Sequence, residues 1–368
     1  MNYSGYKFQK STSSVRLLFV FTIFLLINRI PLFAQDFHFS QFYNAPIITN
    51  AAHTGRMKTD YRFNFIHRSQ WQVVTQPFST SQIAIDFNIY KKLLGAKKFG
   101  LGVIVLNDQI GFIDGNSEKG EINVQNYLVS FANHYILDNE SRHNLSVGLH
   151  AGLSRKFINT SGFIFRNQID QNTNQANPNL PSGEDMNNNQ RSNPQVNAGV
   201  YYDFYVSKKL ELIAGVSGFN LYPQNEAIIT GINSTTAIRY LINGGVTYKF
   251  TPKLSLTPQF MLQTQATTRS WLMGANVTYA LLPPTAKSSA NISLGGWYRL
   301  QDAAIGYAGF QYNHVQVGFS YDFTVSTFNN VWPVSKRYIQ GGWELSLIYT
   351  GFLNRAIPNE LTIPCKIF

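Results

Sequence analysis

Beyond residue 34 the chain contains no run of 18 apolar residues, yet segment after segment alternates apolar with polar at a period of two. In HVQVGFSYDF, His314 to Phe323, one face holds Val315, Val317, Phe319, Tyr321 and Phe323. The other holds His314, Gln316, Gly318, Ser320 and Asp322. Successive side chains of a strand point to opposite faces, so this is a strand with one apolar and one polar side. LSVGLHAGL from Leu145, LSLTPQFML from Leu254 and WELSLIY from Trp343 repeat the pattern, with His150, Gln259 and Glu344 on the polar faces.

About fourteen such segments occur, each near the roughly 9–11 residues with which a tilted strand crosses a bilayer. Their cores lie at 60–67, 81–90, 99–107, 122–134, 144–157, 196–206, 210–219, 237–249, 253–264, 270–281, 290–299, 303–310, 314–324 and 341–350. The polar faces are mostly Gly, Ser, Asn, Gln and Thr. The chain is 44% hydrophobic and 14% aromatic but only 13% charged, about half the charged share usual in soluble domains. A soluble β-sandwich shares the period but places more Lys and Glu on its polar face. The expected fold is all-β: a transmembrane antiparallel β-barrel of about fourteen strands, of outer-membrane type.

The gaps support this reading independently. Gaps 68–80, 108–121, 159–195, 220–236 and 325–340 are long, and they alternate with short ones at 91–98, 135–143, 207–209, 250–252, 282–289 and 311–313. Gaps 265–269 and 300–302 are short and break the trend. Long loops at one end and short turns at the periplasmic end are the pattern of outer-membrane barrels, and an even strand number places both termini in the periplasm.

The one long apolar stretch is at the start. Lys7, Lys10 and Arg16 precede the core Leu17–Ile27, which is shorter than the roughly 20 residues of a spanning helix. Cleavage between Ala34 and Gln35 makes residues 1–34 a secretory signal peptide; the alternative is an uncleaved anchor. No Cys follows the cleavage point. Four basic and no acidic residues leave with the leader, so net charge falls from +11 to +7. An exported chain without a basic stripe is not expected to bind nucleic acid; outer-membrane lipids are the expected surroundings.

The remaining domains are a periplasmic segment at 35–59, plug or docking arm, a barrel at 60–350 and a tail at 351–368. Within the segment, Phe37, Phe39, Phe42 and Tyr43 show no strand period and are expected to be buried in the barrel mouth or against a partner. The five Trp, Trp71, Trp271, Trp297, Trp332 and Trp343, are expected mainly near strand ends.

Catalytic signatures are lacking. None of the seven His pairs with another or with Cys at metal-ligand spacing. No G-x-S-x-G elbow or phosphate-binding Gly loop precedes a helix. His150 has no serine partner and reads as a lumen residue. Asp114–Glu121 lacks the spacing of a calcium loop. Cys365 is the only cysteine, so no internal disulfide forms. No catalytic, metal or cofactor residue is assigned, and no enzyme is expected.

Several stretches resemble one family. QDFHFSQFYNAPIITNAAHTG, Gln35 to Gly55, resembles the mature start of PorP/SprF proteins of the type IX secretion system, through Phe39, Ser40, Gln41, Phe42, Pro46, Asn50, Ala52 and Gly55; Ala51 stands where that pattern has Pro. HRSQWQVVTQPFST from His67 and WYRLQDAAIGYAGFQYNHVQVGFSYDFTVS from Trp297 resemble further family stretches. CKIF keeps only Cys365 and Phe368 of the family's usual ending. The resemblance implies a non-enzymatic outer-membrane barrel of Bacteroidota that supports type IX secretion or surface attachment of a large gliding adhesin. The implied partners are that adhesin or its C-terminal region and other secretion components. Phe39, Phe42, Tyr43, Arg68, Gln70 and Trp71 are the expected partner contacts. The alternative function is a passive porin or hydrophobic-solute transporter.

Overall fold

The computed structural model describes residues 37–70, 78–89, 98–113, 119–159, 164–170, 175–177, 179–183, 189–223, 225, 227, 235–283, 286, 288–325 and 341–353. The leader, Ala34, Gln35, Trp71, Trp332 and Cys365 lie outside them.

Fourteen antiparallel strands form the wall: β1 Tyr61–Gln70, β2 Phe78–Ile89, β3 Lys98–Ile113, β4 Lys119–Ile136, β5 His143–Asn159, β6 Gln190–Tyr205 and β7 Leu210–Phe219, then β8 Arg239–Lys249, β9 Leu254–Gln265, β10 Thr268–Ala280, β11 Ala290–Arg299, β12 Ala303–Tyr312, β13 Val315–Thr324 and β14 Gly342–Gly351. Each pairs with its sequence neighbours, and β1 closes on β14 from Tyr61↔Gly351 to Gln70↔Gly342. Closure removes the free strand edges. The loop between β5 and β6 adds a two-residue pairing of Ile169–Asp170 with Gln175–Ala176.

The apolar faces point outward. On β13, Val317, Phe319 and Phe323 are 40%, 48% and 51% exposed, while Gln316, Ser320 and Asp322 are buried. This inverts a soluble core: the apolar surface is outside, where acyl chains cover it in a membrane. The ladder between β8 and β9 has one interruption. It runs to Gly245↔Gln259 and resumes at Tyr248↔Leu256, passing over Val246 and Thr247. Pro258, opposite, has no N–H to give.

Residues 37–60 are not in the wall. A 3₁₀ turn Phe42–Asn44, a short helix α1 Pro46–Thr49 and a second 3₁₀ turn Ala51–His53 lead to β1. From Phe39 to Asp60 every residue except Lys58 is buried. This plug enters at the long-loop end, where Arg239 Nη1 donates to the Phe37 carbonyl at 3.0 Å. It leaves at the short-turn end, where Asp60 N donates to the Gly351 carbonyl at 2.9 Å. Phe37 and Leu353, the first and last described residues, therefore lie at opposite ends of the barrel.

Two side chains of the inner face are covered by the plug. The inner face of β13 is not wet at Gln316, because the plug covers it. Trp297 lies near the end of β11, yet its side chain is 4% exposed and sits inside against Phe42 and Tyr43. Trp271 is exposed on β10, and Trp343 is half-buried at the start of β14 beside His67.

Candidate functional site

The strand period sends every second side chain inward, and the plug meets them with its own polar groups. At the long-loop end four charges from four strands converge on Ser40. Arg68 of β1 pairs with Asp322 of β13 at 2.8 Å and with Glu344 of β14. Arg299 of β11 pairs with the same Asp322 oxygen at 3.0 Å and with Asp302 at 2.8 Å. The Ser40 hydroxyl donates to Asp322 at 2.7 Å and accepts from Arg68 at 2.6 Å. Glu344 takes the backbone N–H groups of Ser40 and Gln41 at 2.6 and 2.8 Å. Arg68, Asp322, Glu344 and Arg299 are all nearly fully buried. Charges so buried persist because each is paired and hydrogen-bonded.

In the middle of the plug, Asn44 is the hub. Its side-chain amide donates to Gln41 at 2.9 Å and Ser346 at 3.1 Å and accepts from Gln316 at 3.0 Å, while its carbonyl accepts from Asn64 at 2.6 Å. Beside it, Tyr43 stacks on Trp297 at 5.0 Å, and Phe42 meets the same ring edge-on at 5.5 Å.

A second set of charges fixes the short-turn half. Arg62 of β1 grips both oxygens of Asp86 of β2 at 3.0 and 2.9 Å, and Asp86 also takes Gly55 N at 2.6 Å. Arg56 of the plug pairs with Asp203 of β6 and lies 4.5 Å above the Tyr201 ring. His134 donates through Nε2 to the Thr54 carbonyl at 2.9 Å. The His53 ring lies 4.1 Å from the Tyr201 ring, and its backbone carbonyl accepts from Arg62 at 3.0 Å.

The wall is shaped for the plug. A methyl group built on Gly148 of β5 would fall 2.3 Å from the Ala51 carbonyl, and one on Gly100 of β3 2.0 Å from that of Thr54. Gly55 adopts φ +68, which a side chain rarely does.

Of the residues expected to touch a partner, Phe39, Phe42, Tyr43 and Arg68 are gathered inside the barrel in contact with its own wall. Gln70 ends β1 at the long-loop end, half-buried, and does not join the charge network. Sequence reasoning missed Ser40, Arg299, Asp322 and Glu344 as a unit. The available signal was a carboxylate on a strand's polar face in a chain with few charges. Among the described residues no three His, Cys, Asp or Glu are placed to hold a metal.

Solved structures share the fold. The Ralstonia pickettii toluene transporter TbuX matches with TM-score 0.50 at 9% identity, covering 84% of this chain and 94% of that one. The Pseudomonas putida toluene transporter TodX matches with TM-score 0.50 at 8% identity, covering 87% and 98%. At such identities the likeness concerns the barrel alone. Among curated proteins no relative matches the sequence. A family model described as "Type IX secretion system membrane protein PorP/SprF" matches residues 32–349.

Proposed function

Since the chain belongs to the PorP/SprF family of type IX secretion system membrane proteins, we propose that it is a non-enzymatic outer-membrane barrel that supports export and surface attachment of a large adhesin. The family match carries this reading. The plugged lumen supports a particular form of it. Pulling the plug out would strip Glu344 of two backbone N–H groups and Asp322 of the Ser40 hydroxyl, each buried and costly to leave unpaired. The barrel therefore acts as a platform whose mouths meet cargo and secretion partners. Phe39, Phe42, Tyr43 and Arg68 serve that role by holding the plug, Gln70 by its place at the long-loop end of β1, and Trp71 as the residue that follows it in the sequence. The transporter alternative has only the shared fold in its favour.

The test is adhesin display on intact cells lacking this gene. The proposal expects display to be lost and to return with the wild-type gene. Normal display without the gene overturns it.

A further inference from the structure

The plug does not fill the lumen evenly. At the short-turn end a cavity of ≈ 400 Å³ remains between the plug and the inner faces of β7 to β13, open toward the β8–β9 turn Thr251–Lys253 that helps line it. Its walls carry hydroxyls and amides, among them Thr257, Gln259, Asn276 and Gln311, with the Tyr307 ring.

The charge around it is unbalanced. Elsewhere in the lumen Arg62, Arg68 and Arg299 each have a carboxylate, and Arg56, which lines this cavity, is paired with Asp203 outside it. Here Lys58, Lys249 and Lys253 line the cavity with no ion pair among the described residues, and Glu211 is the only carboxylate in the lining. A cleft lined by one sign of charge and walled by low-dielectric protein concentrates the opposite sign. The barrel exterior at the same level carries the exposed rings of Tyr248 and Tyr279, so the lysines address the aqueous lumen rather than the bilayer.

We propose that this vestibule binds an acidic polypeptide segment, a reading that rests on the role in polypeptide export. The lysines take its carboxylates. The amides and hydroxyls match the donors and acceptors of an extended backbone, and the volume falls within the roughly 300–1,000 Å³ of ligand sites, room for a few residues.

The experiment uses the purified full chain in an uncharged detergent, with a six-residue peptide of alternating Asp and Gly carrying an uncharged dye, followed by anisotropy. Saturable binding is expected. It should weaken at least tenfold when Asn replaces Asp in the peptide, and at least tenfold in the combined Lys58→Gln, Lys249→Gln, Lys253→Gln variant. Lys208→Gln with Lys209→Gln, on the neighbouring turn outside the lining, should bind as wild type. Heat-modified gel mobility reports whether each variant is a folded barrel. Equal binding of the Asp and Asn peptides, or wild-type binding by the triple variant, overturns the proposal. So does displacement by inorganic phosphate at concentrations equal to the peptide, which reduces the site to one for small anions, and so does full displacement by phosphatidylglycerol nanodiscs, which assigns it to lipid. Peptide binding is read on the isolated barrel and display on cells, so either proposal can fail while the other stands.

Discussion

Val317 and Gln316 are neighbours on β13 that face opposite media. Val317 lies on the outer surface, and an Arg there should cost about 2–4 kcal/mol near the bilayer midplane. Gln316 is buried against Asn44 of the plug, so Gln316→Ala should cost about 1 kcal/mol, the worth of one amide hydrogen bond. Urea unfolding in lipid vesicles reads both, and equal losses would contradict the assignment of faces. The ion network gives a second prediction. Glu344→Gln leaves Arg68 and Arg299 sharing Asp322 and should cost about 3–5 kcal/mol, as breaking a buried pair does. Arg68→Met combined with Glu344→Gln should cost less than the two single changes together, because the pair acts as a unit. Additive losses in the same unfolding measurement would mean that the two side chains do not interact.

At the scale of elements, the plug and the strands it touches were made for each other. Gly148→Val places a branched side chain where the Ala51 carbonyl lies. It should displace the plug and lower the midpoint of thermal unfolding. Gly296→Ala, where an added Cβ meets nothing within 4 Å, should stay within about 0.5 kcal/mol of wild type. Matching losses at the two positions, measured by circular dichroism on heating, would show that the close approach is not what matters. These elements differ in how far the sequence discloses them. The strand segment 60–67 corresponds to β1 Tyr61–Gln70 and 210–219 to β7 Leu210–Phe219. The reason is that lipid enforces apolarity on every second residue. The plug obeys no such period. Its turns are set by local caps, such as Asn50 accepting from Ala52 N at 2.9 Å, and by partners hundreds of residues away. Glu344 and Ser40 stand 304 positions apart, so nothing local announces that they meet. A polar strand face likewise reads the same whether water or a polar plug covers it, so the burial of Gln316 against Asn44 was not legible.

For the molecule as a whole, the account holds that the barrel works with its plug in place. A disulfide can test this, because the sole native cysteine, Cys365, is far away in sequence. A Cβ built on Gly199 of β6 lies 2.1 Å from Asn50 Oδ1, so Asn50→Cys with Gly199→Cys puts two sulfurs within bonding reach across the plug–wall boundary, in an exported chain where disulfides form and persist. The decisive measurement is adhesin display on cells whose only copy is this locked barrel, scored with and without a reductant that opens the bond. The account predicts full display in both states. Display lost while the bond is closed and recovered when it is reduced would show that the plug must leave, and would make the barrel a conduit rather than a platform.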